Sequence, residues 1–142
     1  MTSLTATENA TLERAADAPM LAQVEKWAAI NSGTGNLAGL KHVAGELADA
    51  FAALPGDVRL VAADPVESVD SAGTVNTIQR GDHLHLRVRP EAPVQLLLTG
   101  HMDTVFAADH PFQTLKWLEE GVLNGPGTAD MKAGISVILA AL

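Results

Sequence analysis

The residues best suited to chemistry sit at the end of an apolar run. Leu96–Phe106, LLLTGHMDTVF, carries three leucines into a glycine, then His101, then Asp103. Open α/β sheets gather their chemistry where strands empty at their carboxyl ends. Past such an end the chain turns, so the Asp103 carboxylate can reach back to the His101 imidazole. A metal-bound histidine donates its second ring N–H to a partner of that kind, which fixes the tautomer and raises the basicity of the ligating nitrogen. The plainer alternative is an aspartate capping its own turn beside an exposed histidine, and His-x-Asp alone favours it. A second stretch, NGPGTADMKAG from Asn124 to Gly134, holds Asp130 in a glycine-rich turn before a helix. A carboxylate there can bridge two cations, or it can simply cap the helix, a role that aspartate commonly fills.

Composition narrows the chemistry. The chain has 142 residues, 47% of them hydrophobic, enough for one domain core. Its formal charge of −8, from 17 acidic and 9 basic residues, offers no basic stripe for phosphates, so nucleic acid is not expected as a partner. There is no cysteine, so any metal must be held by His, Asp or Glu. No run is apolar enough to span a bilayer and the first residues lack a signal-peptide pattern, so the expected compartment is the cytoplasm, with no membrane partner.

The elements that must position these residues follow from periodicity. Residues 1–18 are rich in Thr, Ala and Glu and are expected to be a flexible arm or a loosely docked helical turn. Residues 19–142 form the remaining unit. A helix is predicted from Pro19, with Leu21, Val24, Trp27 and Ala28 as its stripe. NSGTGN, Asn31–Asn36, breaks it, and a long amphipathic helix is predicted in which Leu37, Leu40, Val43, Ala44, Leu47, Phe51 and Leu54 recur at three- and four-residue steps on one packed face. Strands are predicted at Val58–Ala63 and at His83–Val88, where Leu84, Leu86 and Val88 share the buried side. Val94–Gly100 has consecutive apolar residues, the pattern of a strand covered on both faces, with neighbours on both sides. Two extended pieces turn at Glu120-Gly121. A final apolar helix starts after Asp130 and has no cap at Leu142, so the sequence reads as part of something larger rather than as a small domain with a frayed last helix.

Together, LLLTGHMDTVF and NGPGTADMKAGISVILAAL resemble the dizinc amidohydrolases and exopeptidases that include glutamate carboxypeptidase, acetylornithine deacetylase and succinyl-diaminopimelate desuccinylase. INSGTGNLAGLKHVAGELADAFAAL resembles the opening helices of that family, most of all its glutamate carboxypeptidase branch. The resemblance implies an α/β fold: a central mixed sheet flanked by helices, the amino-terminal part of a zinc-exopeptidase-like catalytic domain, without its lid and dimerisation domain. It implies that His101 ligates one zinc, that Asp130 bridges both, and that Asp103 is the catalytic aspartate bonded to His101. The cofactor would be Zn2+, two per complete site, with Co2+ or Mn2+ as alternatives. Two such ions about 4 Å apart can share a water, lower its pKa and polarise an amide carbonyl.

The function so implied is hydrolysis of peptide or N-acyl amino-acid amide bonds, as in a carboxypeptidase or deacylase, with a small peptide or N-acyl amino acid as substrate and a homodimer as an assembly open to the full-length protein. The general-base Glu, the remaining ligands and a distal His lie, in that family, downstream of the Asp130 motif and are not in this chain. The other function class is a catalytically inactive truncated fragment or binding remnant of the same fold. Other acidic and histidine residues have plainer readings. Glu119-Glu120 is a solvated turn. His83 and His85 share a wet strand face with Arg87 and Arg89. His42 and His110 are given no role.

Overall fold

The computed structural model of the chain describes residues 3–142. Thr5 and Glu8 begin it with a reciprocal cap: the Thr5 hydroxyl accepts the Glu8 N–H at 3.2 Å, and the Glu8 carboxylate accepts the Thr5 N–H at 2.7 Å. The helix they open, α1 (Ala6–Ala16), buries none of its side chains. The segment expected as an arm thus contains an 11-residue helix, lying on the surface. Its first two residues are outside the described ones.

Pro19 precedes α2 (Met20–Ala28), which buries Val24, Trp27 and Ala28. Leu21, expected on the same stripe, is exposed. Asn36 caps α3 (Leu37–Phe51) by accepting the Gly39 N–H at 3.1 Å. The buried residues of α3 are Leu40, Val43, Ala44, Leu47 and Phe51, five of the seven read as its stripe; Leu37, in the first turn, is exposed, and Leu54, past the end of the helix, is partly buried against the core. Trp27, Val43, Leu47 and Phe51 join Ile135 in one core cluster. Burying each large side chain stabilises the fold by roughly 1.5–3 kcal/mol.

Six short strands complete the fold with a last helix: β1 (Asp57–Val61), β2 (Val66–Val69), β3 (Val75–Ile78), β4 (His83–Arg87), β5 (Lys116–Glu119), β6 (Val122–Asn124) and α4 (Lys132–Ala141). β1 pairs antiparallel with β4, setting Val58 opposite Leu86. Val58, Leu84 and Leu86 pack on the core cluster, and α3 lies against this pair. β2 and β3 form a hairpin whose turn is closed by the Asp70 carboxylate, accepting the Ala72 and Thr74 N–H groups at 2.9 Å each. No strand was expected there. β5 and β6 form the hairpin expected around Glu120-Gly121. α4 packs on α2.

The central mixed sheet does not form among the described residues. Their strands make three separate two-stranded antiparallel sheets. Val94–Thr99, expected as the central strand, has no ladder partner, and Val94, Leu96 and Leu97 are 82%, 81% and 84% exposed. A strand buried on both faces needs hydrogen-bonding neighbours on each side and helices above and below. None of the three strand pairs is hydrogen-bonded to it. Its apolar composition records a demand for cover that these residues do not meet.

Candidate metal centre

Two loops and a helix start meet where the sequence placed its chemistry. The first loop, Asn31–Asn36, lies between α2 and α3 and is fastened along Met102–Ala107. Ser32 Oγ donates to the Met102 carbonyl at 2.8 Å. Thr104 N–H donates to the Ser32 carbonyl at 2.9 Å, and Thr34 N–H donates to the Thr104 carbonyl at 3.0 Å. Gly33 forms the parallel bridge to Thr104 between them. A Cβ on Gly33 would stand 2.3 Å from the Phe106 carbonyl oxygen, so only glycine allows this approach. The Asn31 amide donates to the Phe106 carbonyl at 3.1 Å and to Gln113 Oε1 at 2.8 Å. The loop read from the sequence only as a helix breaker is therefore the clasp that fixes the His101 loop.

The second loop, Gly125–Met131, turns into α4. Gly127 has φ +76° and packs against Lys132 and Thr104, with Lys132 N–H closing the turn on the Gly127 carbonyl at 2.9 Å. Lys132 is buried, 1% exposed, and its Nζ donates to the Trp27 and Ile30 carbonyls at 2.9 Å each. Trp27 lies in the last turn of α2 and Ile30 just past its end, where a cation is favoured. Burial pushes its amine pKa down to about 8, and a neutral amine retains two donors, so the anchor survives deprotonation. Neither Lys132 nor the clasp was singled out from the sequence, because an isolated lysine and a Gly-Asn-Ser loop carry no periodic signal.

These supports bring His101, Asp103 and Asp130 together. His101 Nε2 stands 2.9 Å from Asp130 Oδ1. Its Nδ1 stands 3.2 Å from Asp103 Oδ1 and 3.0 Å from the Asp103 carbonyl oxygen. One imidazole is thus flanked by a carboxylate at each nitrogen. Partial burial works against its charge, but the hydrogen bonds to Asp130 and to the Asp103 carbonyl, with the two nearby negative charges, raise its pKa above the usual 6.5.

The capping alternatives are not what the fold uses. α4 begins after Met131 with no side-chain cap, while the Asp130 carboxylate turns to His101. Among the described residues no backbone N–H donates to the Asp103 carboxylate, whose Oδ2 instead accepts the Thr34 hydroxyl at 2.7 Å.

The donor chemistry suits zinc as far as it goes. Two donors bound to one zinc at about 2.0–2.1 Å in tetrahedral geometry stand about 3.3 Å apart. The pair found at 2.9 Å need therefore open by only about 0.4 Å. The Asp130 side chain is 84% exposed, and no hydrogen bond among the described residues engages its second oxygen, which is open to a further ion. Among the described residues there is no group of three or more His, Cys, Asp or Glu that could hold a metal ion. His101 and Asp130 would supply two of the about four donors that zinc takes.

The other titratable residues stay apart from this centre. His83 and His85 are exposed on β4 with ring centroids 6.2 Å apart, and Glu119 and Glu120 are exposed at the β5–β6 turn. His42 is exposed on α3. His110 Nδ1 accepts the Phe112 N–H at 3.0 Å within its own loop.

Among the described residues no helix is long and apolar enough to cross a membrane. No curated protein and no solved structure matches the chain. Residues 97–142, the stretch that holds His101, Asp103 and Asp130, match the family model of the peptidase family M20/M25/M40, and this part of the chain is similar to those peptidases.

Proposed function

We propose that this chain carries part of the metal centre of a zinc-dependent hydrolase of peptide or N-acyl amino-acid amide bonds, of the carboxypeptidase or deacylase type. His101 and Asp130 are its metal ligands and Asp103 its catalytic aspartate. The observation that supports this reading most is the 2.9 Å approach of His101 Nε2 to Asp130 Oδ1, across 29 positions of sequence and inside the segment similar to the M20 peptidases. Likeness to glutamate carboxypeptidase in particular rests on the segment INSGTGNLAGLKHVAGELADAFAAL.

When bound, zinc would activate a water and polarise the amide carbonyl. The residues of this chain do the holding. His101 presents Nε2 as a neutral donor, which requires its proton on Nδ1. Asp103 Oδ1 and the Asp103 carbonyl face that Nδ1 and accept its N–H. The Asp103 charge raises the basicity of the ring and thus the strength of the Nε2 donor. Asp130 presents one oxygen beside Nε2 and leaves the other exposed, the arrangement a bridging carboxylate needs.

Zinc calorimetry on the protein and on His101→Ala and Asp130→Ala tests the assignment. The expected result is weak binding that each substitution abolishes. Binding that both variants retain unchanged would place the metal elsewhere and refute it.

A further inference from the structure

Asp103 can serve His101 only if its carboxylate is turned toward Nδ1, and a side chain on a loop has free rotation about its own bonds unless something holds it. The Asp103 carboxylate is held at both ends. Oδ1 faces His101 Nδ1 at 3.2 Å, and Oδ2 accepts the Thr34 hydroxyl at 2.7 Å. That second contact is a short hydrogen bond from a hydroxyl to a carboxylate, in the range of charge-assisted bonds.

Thr34 is itself placed by the backbone. Its N–H donates to the Thr104 carbonyl at 3.0 Å, and the Gly33–Thr104 bridge fixes the residue before it. The hydroxyl has two oxygens in range, Asp103 Oδ2 at 2.7 Å and the Thr104 carbonyl at 3.3 Å. It has one proton to give, and the nearer, charged oxygen takes it.

We propose that Thr34 is a positioning residue for this centre: its hydroxyl, carried by the clasp between α2 and α3, orients the Asp103 carboxylate so that Asp103 in turn orients His101. The inference rests on the metal reading for its purpose, but the orientation can be measured without metal. The chain of contacts runs Thr34, Asp103, His101, Asp130, so a loop 69 positions upstream of Asp103 sets the direction of the ligand nitrogen.

The test compares Thr34→Val, which keeps the shape and removes the donor, with Thr34→Ser, which keeps the donor. The first readout is the 15N NMR signature of His101 in the metal-free protein, with melting temperature alongside. Thr34→Val is expected to shift the His101 Nδ1 signal in the direction that Asp103→Asn shifts it, and Thr34→Ser to restore the wild-type position. The second readout is zinc affinity, expected to fall about 3- to 10-fold in Thr34→Val, at or below the lower end of the about 10- to 100-fold loss typical when a ligand's direct partner is removed. A wild-type His101 signal in Thr34→Val would overturn the proposal, whatever zinc does. A shifted signal together with zinc affinity that neither Thr34→Val nor Asp103→Asn alters would keep the orienting contact and sink the metal reading instead.

Discussion

His101 decides the chemistry through what lies at each of its nitrogens. With carboxylates on both sides its imidazolium is favoured in the metal-free protein, and its pKa lies above 6.5. A histidine raised in this way stabilises the fold below pH 6.5 and loses that contribution as the pH rises through its folded value. Urea unfolding at pH 5.5 and at pH 8 should therefore show a larger fall in stability for the wild type than for Asp130→Asn, which removes one of the two charges. Equal falls would show that Asp130 does not act on His101. Asp103→Asn keeps the shape but loses the charge, and zinc affinity should drop about 10- to 100-fold. Normal affinity in that variant would make Asp103 a structural residue.

The elements hold these residues through loops rather than through sheet. Thr104, at the centre of the clasp, has a buried side-chain oxygen with no partner among the described residues. An unsatisfied buried hydroxyl costs about 1–3 kcal/mol, so Thr104→Val should match or raise the melting temperature. A clear loss would reveal a partner for that hydroxyl.

The same elements show what sequence pattern can carry. The stripe Leu40, Val43, Ala44, Leu47, Phe51 and the alternation in His83–Arg87 were legible, because one buried face stamps its period on the residues. Leu21 shared its helix's stripe and is nonetheless exposed, since the stripe gives the face and not its edge. The clasp was not legible. Asn31, Ser32 and Thr34 act through single hydrogen bonds to residues about 70 or more positions away, and such pairs leave no local period. The proximity of His101 to Asp130 was legible only through the two motifs taken together, as either alone favours a cap.

At the scale of the whole molecule, the unmet demand lies in Val94–Leu98. A run rich enough in leucine for a covered strand stands in water, and contiguous exposed apolar surface promotes association. Leu96→Lys with Leu97→Lys should leave the melting temperature nearly unchanged, because both side chains are exposed, and should reduce self-association in sedimentation. A large loss of stability would mean that the segment is covered in solution. The count of donors sets the second expectation: with two of about four ligands, residues 1–142 alone should bind no more than one zinc, weakly, and hydrolyse no amide at an appreciable rate.

His101 and Asp130, whose Nε2 and Oδ1 stand 2.9 Å apart, would together hold the proposed metal. Long-range 15N NMR of His101, recorded as zinc is added, tests this assignment most directly. Nε2 is expected to lose its proton and its signal to move to the position of a metal-bound nitrogen, while Nδ1 stays protonated toward Asp103, and Asp130→Ala is expected to abolish the change. A His101 spectrum indifferent to saturating zinc, or one in which Nδ1 is the nitrogen that loses its proton, would contradict it.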